Sequence, residues 1–163
     1  MAEPALIALG ANLGDPAAAL RWARTELARL GTVQAGSHLY RTRAVGGPPG
    51  QPDYLNAALA LGTDLDPGAL LRALLQTEER YGRVRVERWG PRVLDLDLIG
   101  VGGQVIQQAG LTLPHPLAFE RGFVLAPLAE VAPGWRHPLS GETVEAALRR
   151  VGQAGLERLP ERL

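Results

Sequence analysis

Two aspartates separated by one leucine are the residues best suited to chemistry. Asp95 and Asp97 lie in the run Leu94-Asp95-Leu96-Asp97-Leu98. Because side chains alternate between the faces of a strand, both carboxylates are predicted to point one way, with Cα atoms roughly 6–7 Å apart. Such a pair repels itself unless water or cations intervene. Two divalent ions there would clamp a transferring phosphoryl group, and hard oxygen ligands favour magnesium over zinc. The alternative is a half-exposed strand with a merely solvated polar face.

An arginine-rich segment directly precedes the aspartates. Arg83, Arg85, Arg88 and Arg92 fall within ten residues. Acidic metal ligands next to several arginines would surround an anionic polyphosphate with positive charge, although a single arginine is more often a solvated surface residue. All 17 basic residues are arginine, which excludes a Walker-type phosphate loop and a Schiff-base mechanism. Phosphate must therefore be held by guanidinium groups, backbone N–H groups or metal ions.

Several aromatic and polar residues are candidates for binding a flat heterocycle. Trp89, inside the arginine-rich segment, can stack on a planar ring or pack the segment onto the body of the protein. Tyr54 and Asn56 share a strand face; an asparagine both donates and accepts, which suits an amide-like edge, but an ordinary polar face is the alternative. His115 can contact phosphate or cap a turn. The pattern by itself places Phe123 in the core.

Composition sets the broad class. The 163 residues are 46% hydrophobic and 21% charged, which predicts one compact domain over residues 1–163. A formal net charge of zero counts against a nucleic-acid partner. The absence of cysteine excludes disulfides, zinc–thiolate sites and thiol nucleophiles. Since no apolar run of membrane-spanning length and no basic leader segment is present, we expect a cytoplasmic protein that does not bind membranes. We also expect it to be a monomer.

The elements that must position these residues follow from periodicity and from turn signals. Gly10–Gly14 is interpreted as a tight strand-to-helix turn. Asp15 is predicted to be an N-cap with Pro16 at the first helical position, and Asp66-Pro67 is predicted to open a second helix. The order strand, helix, strand, strand, helix, strand over the first hundred residues fits a ferredoxin-like α+β fold. The predicted elements are strands at 5–9, 32–42, 54–62 and 93–99, helices at 17–30, 66–82, 119–132 and 142–151, loops at 44–52 and 83–92, and a hairpin turn at Gly102-Gly103 into Val105-Ile106.

The segment around the aspartates resembles the signature of a known family. Arg88-Trp89-Gly90-Pro91-Arg92 followed by Val93-Leu94-Asp95-Leu96-Asp97-Leu98-Ile99 is similar to that of 6-hydroxymethyl-7,8-dihydropterin pyrophosphokinases of folate biosynthesis. Supporting landmarks fall in the family's order over about residues 5–135: Leu9–Gly14, Tyr40–Thr42, Gln51–Ala57, Gly82–Arg85, Leu111–His115 and Arg121–Phe123.

The resemblance implies a ferredoxin-like sandwich, a mostly antiparallel sheet with helices packed on it, and a reaction of ATP with the pterin alcohol giving AMP and the pterin diphosphate. It implies that Asp95 and Asp97 hold two magnesium ions, with Asp95 near the attacking hydroxyl, and that Arg83 and Arg92 neutralise developing charge. It places ATP near Glu78, Arg85, Leu98, Leu111, Thr112, His115 and Arg121. It places the pterin between Trp89 and Phe123, with its edge against Thr42, Val45, Tyr54 and Asn56.

Some positions depart from the family pattern. Arg43-Ala44 stands where prolines are expected, Gly110 replaces a basic residue, and Pro116 replaces an aromatic one. We expect these changes to affect loop motion and ATP affinity more than reaction type. Closure of segments 44–52 and 83–92 would shield the phosphoryl donor from water.

Three other functions remain open at this stage. A ferredoxin-like ligand sensor would bind its small molecule without releasing AMP. An RNA-binding domain of the same fold needs exposed aromatics and a basic sheet face, which scarce aromatics and zero net charge disfavour. Another phosphoryl or nucleotidyl transferase could use the same aspartate pair, and the product would distinguish it. For the favoured function, Asp97→Ala is predicted to abolish magnesium-dependent turnover.

Overall fold

A computed structural model describes residues 3–42, 53–85 and 94–163, with the backbone alone at 83–85. Within these ranges the strands are β1 (Ala5–Ala11), β2 (Thr32–Gly36), β3 (His38–Thr42), β4 (Tyr54–Gly62), β5 (Leu94–Val101), β6 (Ile106–Gln108), β7 (Leu111–Leu113) and β8 (Leu156–Arg162). The α-helices are α1 (Pro16–Leu27), α2 (Pro67–Arg85), α3 (Gly122–Val131) and α4 (Val144–Val151), and Ala118–Glu120 forms a short 3-10 helix.

The main sheet confirms the predicted α+β, ferredoxin-like class. Five of its six strands follow the order β5-β1-β4-β3-β8, and β2 pairs with β4. Every neighbouring pair is antiparallel. Counted together, β2 and β3 are the second of four strands, β4 is the third and β5 is the fourth. The sheet order is then fourth, first, third, second, which is the ferredoxin-like topology. None of the described helices combines the length and apolarity that crossing a bilayer requires.

Alternation along the strands divides the buried side chains between two cores. On one face, the odd-numbered residues of β1 and the leucines of β5 pack with α1 and α2. On the other face, Leu6, Ala58 and Ile99 pack with α3 and α4. A fully buried leucine or isoleucine stabilises the fold by about 1.5–3 kcal/mol. Asp95 and Asp97 also point to the second face and lie nearer the start of β5 than Ile99 does.

Two predicted helix starts are confirmed by their caps. The Asp15 carboxylate accepts the Ala18 N–H at 3.1 Å, and Asp66 accepts the Ala69 N–H at 2.8 Å. Both aspartates precede a proline at the first helical position, where its missing N–H costs nothing. The helices on the first face of the sheet therefore begin where the sequence predicts.

The strand predicted over residues 32–42 is divided at Ser37. This fully buried serine exchanges hydrogen bonds with one residue of β4: its N–H donates to the Ala58 carbonyl at 3.0 Å, and its hydroxyl accepts the Ala58 N–H at 2.9 Å. Its own carbonyl accepts the Leu163 N–H at 2.9 Å. A side chain thus replaces part of the backbone ladder and separates β2 from β3.

The predicted end of α2 and the predicted hairpin are wrong. The helix continues through Gly82 to Arg85, so the first residues assigned to the 83–92 loop are helical. Gly102-Gly103 does turn the chain, but β6 pairs with β7 rather than with β5. Near its end, β5 bonds instead to the segment that follows β7: the Ile99 carbonyl accepts the His115 N–H at 2.9 Å.

Three helix boundaries and two strands also differ from the prediction. The 119–132 helix is interrupted because Arg121 is extended, with φ −122° and ψ 112°. The helix predicted over 17–30 ends at Leu27, and the one predicted from 142 begins at Val144 after the Thr143 cap. Two strands were not predicted: β7, which pairs with β6, and β8, which pairs with β3.

Candidate active site

The two aspartates lie on one exposed face of β5, as predicted. Leu94, Leu96 and Leu98 are 3–5% exposed on the opposite face, whereas Asp95 and Asp97 are exposed to solvent. The regular alternation of the strand produces this separation. Although Asp95 is exposed at the surface, surrounding protein partly desolvates its carboxyl group, and this desolvation together with the negative charge of Asp97 raises the pKa of Asp95. The pair is therefore a locus of uncompensated negative charge among the described side chains.

A polar row crosses the sheet from Asp95. The strand registers place Asp95 opposite Gly10, Gly10 opposite Asn56, and Asn56 opposite Tyr40. Directly paired residues on antiparallel strands point to the same face, and adjacent strands lie about 4.8 Å apart. Asp95 and Asn56 therefore stand about 10 Å apart across a glycine that carries no side chain. This leaves an open strip of sheet between a carboxylate and an amide.

Gly10 keeps that strip open. A Cβ at this position would lie 3.0 Å from Oδ1 of Asn56, closer than an ordinary van der Waals contact, so even alanine would require the amide to shift by a few tenths of an ångström. Asn56 is 9% exposed, and its Nδ2 donates to Oγ1 of Thr42 at 3.3 Å. This bond directs Oδ1 toward Gly10, as an acceptor facing the strip. Tyr54 pairs with Thr42 at the same end of the sheet.

A cavity of about 330 Å³ opens along the outer edge of β5. Six of the residues predicted for ATP or metal line it together: Glu78, Asp97, Leu98, Leu111, Thr112 and His115. Gly110 and Pro116, two of the departures from the family pattern, line it as well. Leu75, which is 53% exposed, and Leu71 add an apolar wall. The cavity thus joins a flat apolar side to a carboxylate end.

Glu78 ties helix α2 to the strand that carries the aspartates. Its Oε2 accepts the N–H of Leu96, the residue between Asp95 and Asp97, at 2.7 Å. Burial raises the pKa of Glu78, the Leu96 N–H lowers it, and the charges of Asp95 and Asp97 raise it further, so that the pKa lies above its usual value. The bond to Leu96 holds the backbone between the paired carboxylates.

The donor set fits a hard divalent cation that is shared with a ligand. In the described ranges, no group of three or more aspartate, glutamate or histidine side chains is placed to hold a metal by itself. Magnesium usually keeps several waters and takes only one or two protein carboxylates, with phosphate oxygens completing its shell. An isolated pair such as Asp95 and Asp97 matches that requirement, and a cation would relieve its repulsion.

Helix α3 delivers two further predicted residues to the same face of the sheet. Arg121 precedes the helix, and its guanidinium carbon lies 5.7 Å from the ring centroid of Phe123. Phe123 packs partly buried against the second core, so the prediction of a core position holds in part. His115 caps its turn through a 3.3 Å bond from the Leu117 N–H to Nδ1, while its ring lines the cavity. Arg121 is not among the residues lining that cavity.

Some predicted site residues lie outside the description. Val45, Trp89 and Arg92 fall in the undescribed ranges, and Arg83 and Arg85 are described by their helical backbone alone. Their assigned roles stay predictions. Sequence reasoning missed Gly10, Leu71 and Leu75. The turn pattern at Gly10–Gly14 does not reveal which residues of the neighbouring strands lie beside Gly10. The spacing of Leu71 and Leu75 in α2 is that of core leucines, so it does not indicate a cavity wall.

Comparison with known proteins agrees with this geometry. A sequence model of the 7,8-dihydro-6-hydroxymethylpterin-pyrophosphokinase (HPPK) family matches residues 6–133. The chain belongs to this HPPK family. The match spans the aspartate pair, the cavity and the Asn56 row, so the resemblance seen in the sequence is confirmed.

Individual HPPK relatives support the assignment. A 2-amino-4-hydroxy-6-hydroxymethyldihydropteridine pyrophosphokinase of Synechocystis sp. is 46% identical over 149 residues, covering 90% of this chain and 75% of the relative. An enzyme of the same name from Methylorubrum extorquens is 43% identical over 157 residues, covering 95% of this chain and 98% of the relative. The second alignment extends over nearly the full length of both proteins.

Solved HPPK structures share the fold. The Plasmodium falciparum HPPK-DHPS A437G structure with SDX-DHP matches with a TM-score of 0.75 at 13% identity, covering 97% of this chain. The chain spans about half of that protein, 49% of its length. At this identity the likeness concerns the fold alone, and it agrees with the sheet topology described above.

Proposed function

We propose that this protein transfers pyrophosphate from ATP to 6-hydroxymethyl-7,8-dihydropterin, giving AMP and the pterin diphosphate in folate biosynthesis. The observation that carries the proposal is the position of Asp97: it lines the cavity on the outer edge of β5, while Asp95, two residues away, borders the open strip over Gly10. One carboxylate faces each candidate substrate region. A group transferred between the two substrates would pass between them.

The nucleotide would occupy the 330 Å³ cavity. The apolar wall of Leu71, Leu75 and Leu98 suits a purine face, and Thr112 and His115 supply polar contacts. Gly110 presents no side chain, has φ +82°, and has open space where a Cβ would be. Because this position lacks a basic side chain, we expect weaker ATP binding than in relatives that have one there.

The pterin would lie on the strip over Gly10. Its amide-like edge would meet Oδ1 of Asn56, with Thr42 and Tyr54 beside it, and its hydroxymethyl end would reach toward Asp95. The separation of about 10 Å between Asp95 and Asn56 suits a bicyclic ring lying between them. Phe123 on α3 would cover one face of the ring, and Trp89 would cover the other.

The chemistry is an in-line displacement at the β-phosphorus of ATP by the pterin hydroxyl oxygen, with AMP leaving. Magnesium bound at Asp95 and Asp97, in our proposal two ions, would supply neutralisation of the phosphate oxygens. Asp95 would orient the attacking hydroxyl and accept its hydrogen bond. As the new bond to the β-phosphorus forms and the bond from that phosphorus to the AMP oxygen breaks, the hydroxyl proton would leave to solvent. Arg83 and Arg92 would neutralise charge that develops in the transition state, and Arg85 and Arg121 would hold the phosphate chain.

A product assay tests the proposal. Purified protein is incubated with ATP, magnesium and the hydroxymethyl-dihydropterin, and nucleotides are separated by chromatography. We expect one AMP per pterin diphosphate and no ADP. Appearance of ADP would assign the site to a different phosphoryl transfer, and ligand binding without any AMP would favour a sensor. Asp97→Asn should abolish the reaction, whereas Asp64→Asn, the same change at an exposed position beyond β4, should not.

A further inference from the structure

The carboxylate of Glu130, on α3, bonds to His38 and Tyr40 of strand β3, and this set of bonds is the Glu130 grip. Oε2 of Glu130 accepts a hydrogen bond from the Tyr40 hydroxyl. Oε1 lies 2.7 Å from Nδ1 of His38 and accepts the His38 N–H at 3.3 Å. Both oxygens of one side chain are therefore bound to β3, at two residues that point to the same face of the sheet.

The ionisation states keep this grip intact at neutral pH. Burial alone would raise the pKa of Glu130, but the hydrogen bonds from Tyr40 and His38 outweigh it, and the pKa lies below its usual value. Burial and the interaction with Glu130 raise the pKa of Tyr40 to about 12, although the nearby Arg158 guanidinium lowers it in part. A carboxylate that accepts from a neutral phenol makes a charge-assisted hydrogen bond, which is stronger than one between neutral groups.

The grip connects two walls of the open strip. Thr42 is the next residue of β3 on the gripped face after His38 and Tyr40, and it accepts from Asn56. Tyr40 is itself the register partner of Asn56. Phe123 lies toward the other end of α3, seven residues or about 10 Å along the helix from Glu130. The bonds of Glu130 thus fix the helix bearing Phe123 relative to the strands bearing Thr42 and Asn56.

We propose that Glu130, acting through Tyr40 and His38, is a positioning residue that sets the spacing of the pterin-binding walls. This inference rests on the function proposed above. Glu130 is not among the residues that line the nucleotide cavity, and its hydrogen bonds go to His38 and Tyr40, so we expect its effect on pre-organisation of the pterin site. Loosening the grip costs pterin binding and leaves the aspartate pair and the ATP cavity, on β5 and α2, in place.

Tyr40→Phe is the direct test, because it removes one oxygen and keeps the buried ring. We expect the KM for the pterin to rise about fivefold, because part of the free energy of one hydrogen bond is lost. The kcat and the KM for ATP should stay within about twofold of the wild-type values. Pterin affinity measured by calorimetry with a non-hydrolysable ATP analogue should fall by the same factor. Thr63→Val is the matched control: it removes a 2.7 Å hydrogen bond to the Leu30 carbonyl at the opposite end of β4.

The outcomes separate this inference from the proposed function. Failure of the wild-type protein to form AMP would end the proposed function. If the wild type is active, equal losses in pterin and ATP binding for Tyr40→Phe, or no change in either, would overturn the positioning role. Should Tyr40→Phe fail to fold, His38→Ala removes the ring contact and keeps the backbone N–H; it must show the same pterin-selective shift, or the inference is wrong.

Discussion

Removing one charge of the aspartate pair should stabilise the ligand-free protein and disable the enzyme. Asp97→Asn preserves shape and deletes one of two like charges on adjacent same-face positions of β5. The Cα atoms are about 6.7 Å apart, so the repulsion between unit charges in water-like surroundings is about 0.6 kcal/mol. Salt at physiological strength, with a Debye length of about 8 Å, reduces it to about 0.3 kcal/mol.

The stability effect is small but has a definite sign. For a chain of this length, 0.3–0.6 kcal/mol corresponds to a rise in Tm of about 1–2 °C. With ligands bound, the wild-type protein should have a higher Tm than Asp97→Asn. Saturation at about 100 times Kd stabilises a protein by about 2.7 kcal/mol, or roughly 5–10 °C here. Asp97→Asn should lose most of that ligand-induced rise.

Activity should fall far more than stability changes. Charge neutralisation by a bound metal contributes several kcal/mol to the transition state, and a loss of about 3 kcal/mol lowers turnover by more than 100-fold. The assay is AMP formation across a magnesium titration, combined with thermal unfolding with and without magnesium and an ATP analogue. Asp64→Asn serves as the control for the chemical change itself.

Two results would refute this reasoning. If Asp97→Asn formed AMP at a near-wild-type rate over the whole magnesium range, the aspartate pair would not be the metal site. If its ligand-free Tm fell below that of Asp64→Asn, the two carboxylates would not be repelling each other in the folded state. The two measurements are independent, so the electrostatic and catalytic parts of the argument can fail separately.

Three further predictions follow from the site and from the Glu130 grip. Gly10→Ala should raise the KM for the pterin about tenfold with little change for ATP, because its Cβ lies 3.0 Å from Oδ1 of Asn56; steady-state kinetics with each substrate varied will check this. Glu78→Ala should lower stability by about 1–2 kcal/mol, because the buried Leu96 N–H loses its acceptor. Glu78→Gln, which keeps an acceptor oxygen, should cost less by denaturant titration. Tyr40 holds its proton more tightly folded than unfolded, so its contribution to stability should be complete below pH 10 and lost as pH rises through about 12; Tyr40→Phe should remove that part of the pH dependence of unfolding.

Local sequence patterns correctly predicted the elements that are determined by interactions between residues close together in the chain. The Asp15-Pro16 and Asp66-Pro67 caps state where two helices begin, and the hydrogen bonds to Ala18 and Ala69 confirm them. The alternation of Leu94–Leu98 states which side chains share a face. In each case the deciding interaction lies within a few residues of the signal, so sequence spacing alone is sufficient.

Features that depend on distant partners could not be predicted in this way. Ser37 ends a strand because its hydroxyl meets Ala58, and β8 forms because β3 offers it a ladder. The β8 sequence itself, with Pro160 and four charged residues, carries no strand signal. At the site, the carboxylate spacing was predictable, whereas the Gly10 strip and the bond from Leu96 to Glu78 arise from strand register and helix packing.

The alternation of leucine and aspartate in β5 also disfavours a shift in the register of this strand. Among the described strands, β5 lies at one side of the sheet and pairs with β1 alone, so that single pairing has to resist a slip of one residue. Such a slip would drive Asp95 and Asp97 into the core beneath α1 and α2 and bring three leucines out into water. Burying two unpaired charges and exposing three leucines both cost free energy, so the slipped register is strongly disfavoured. The residues proposed to bind metal would thus also reject the wrong alignment during folding.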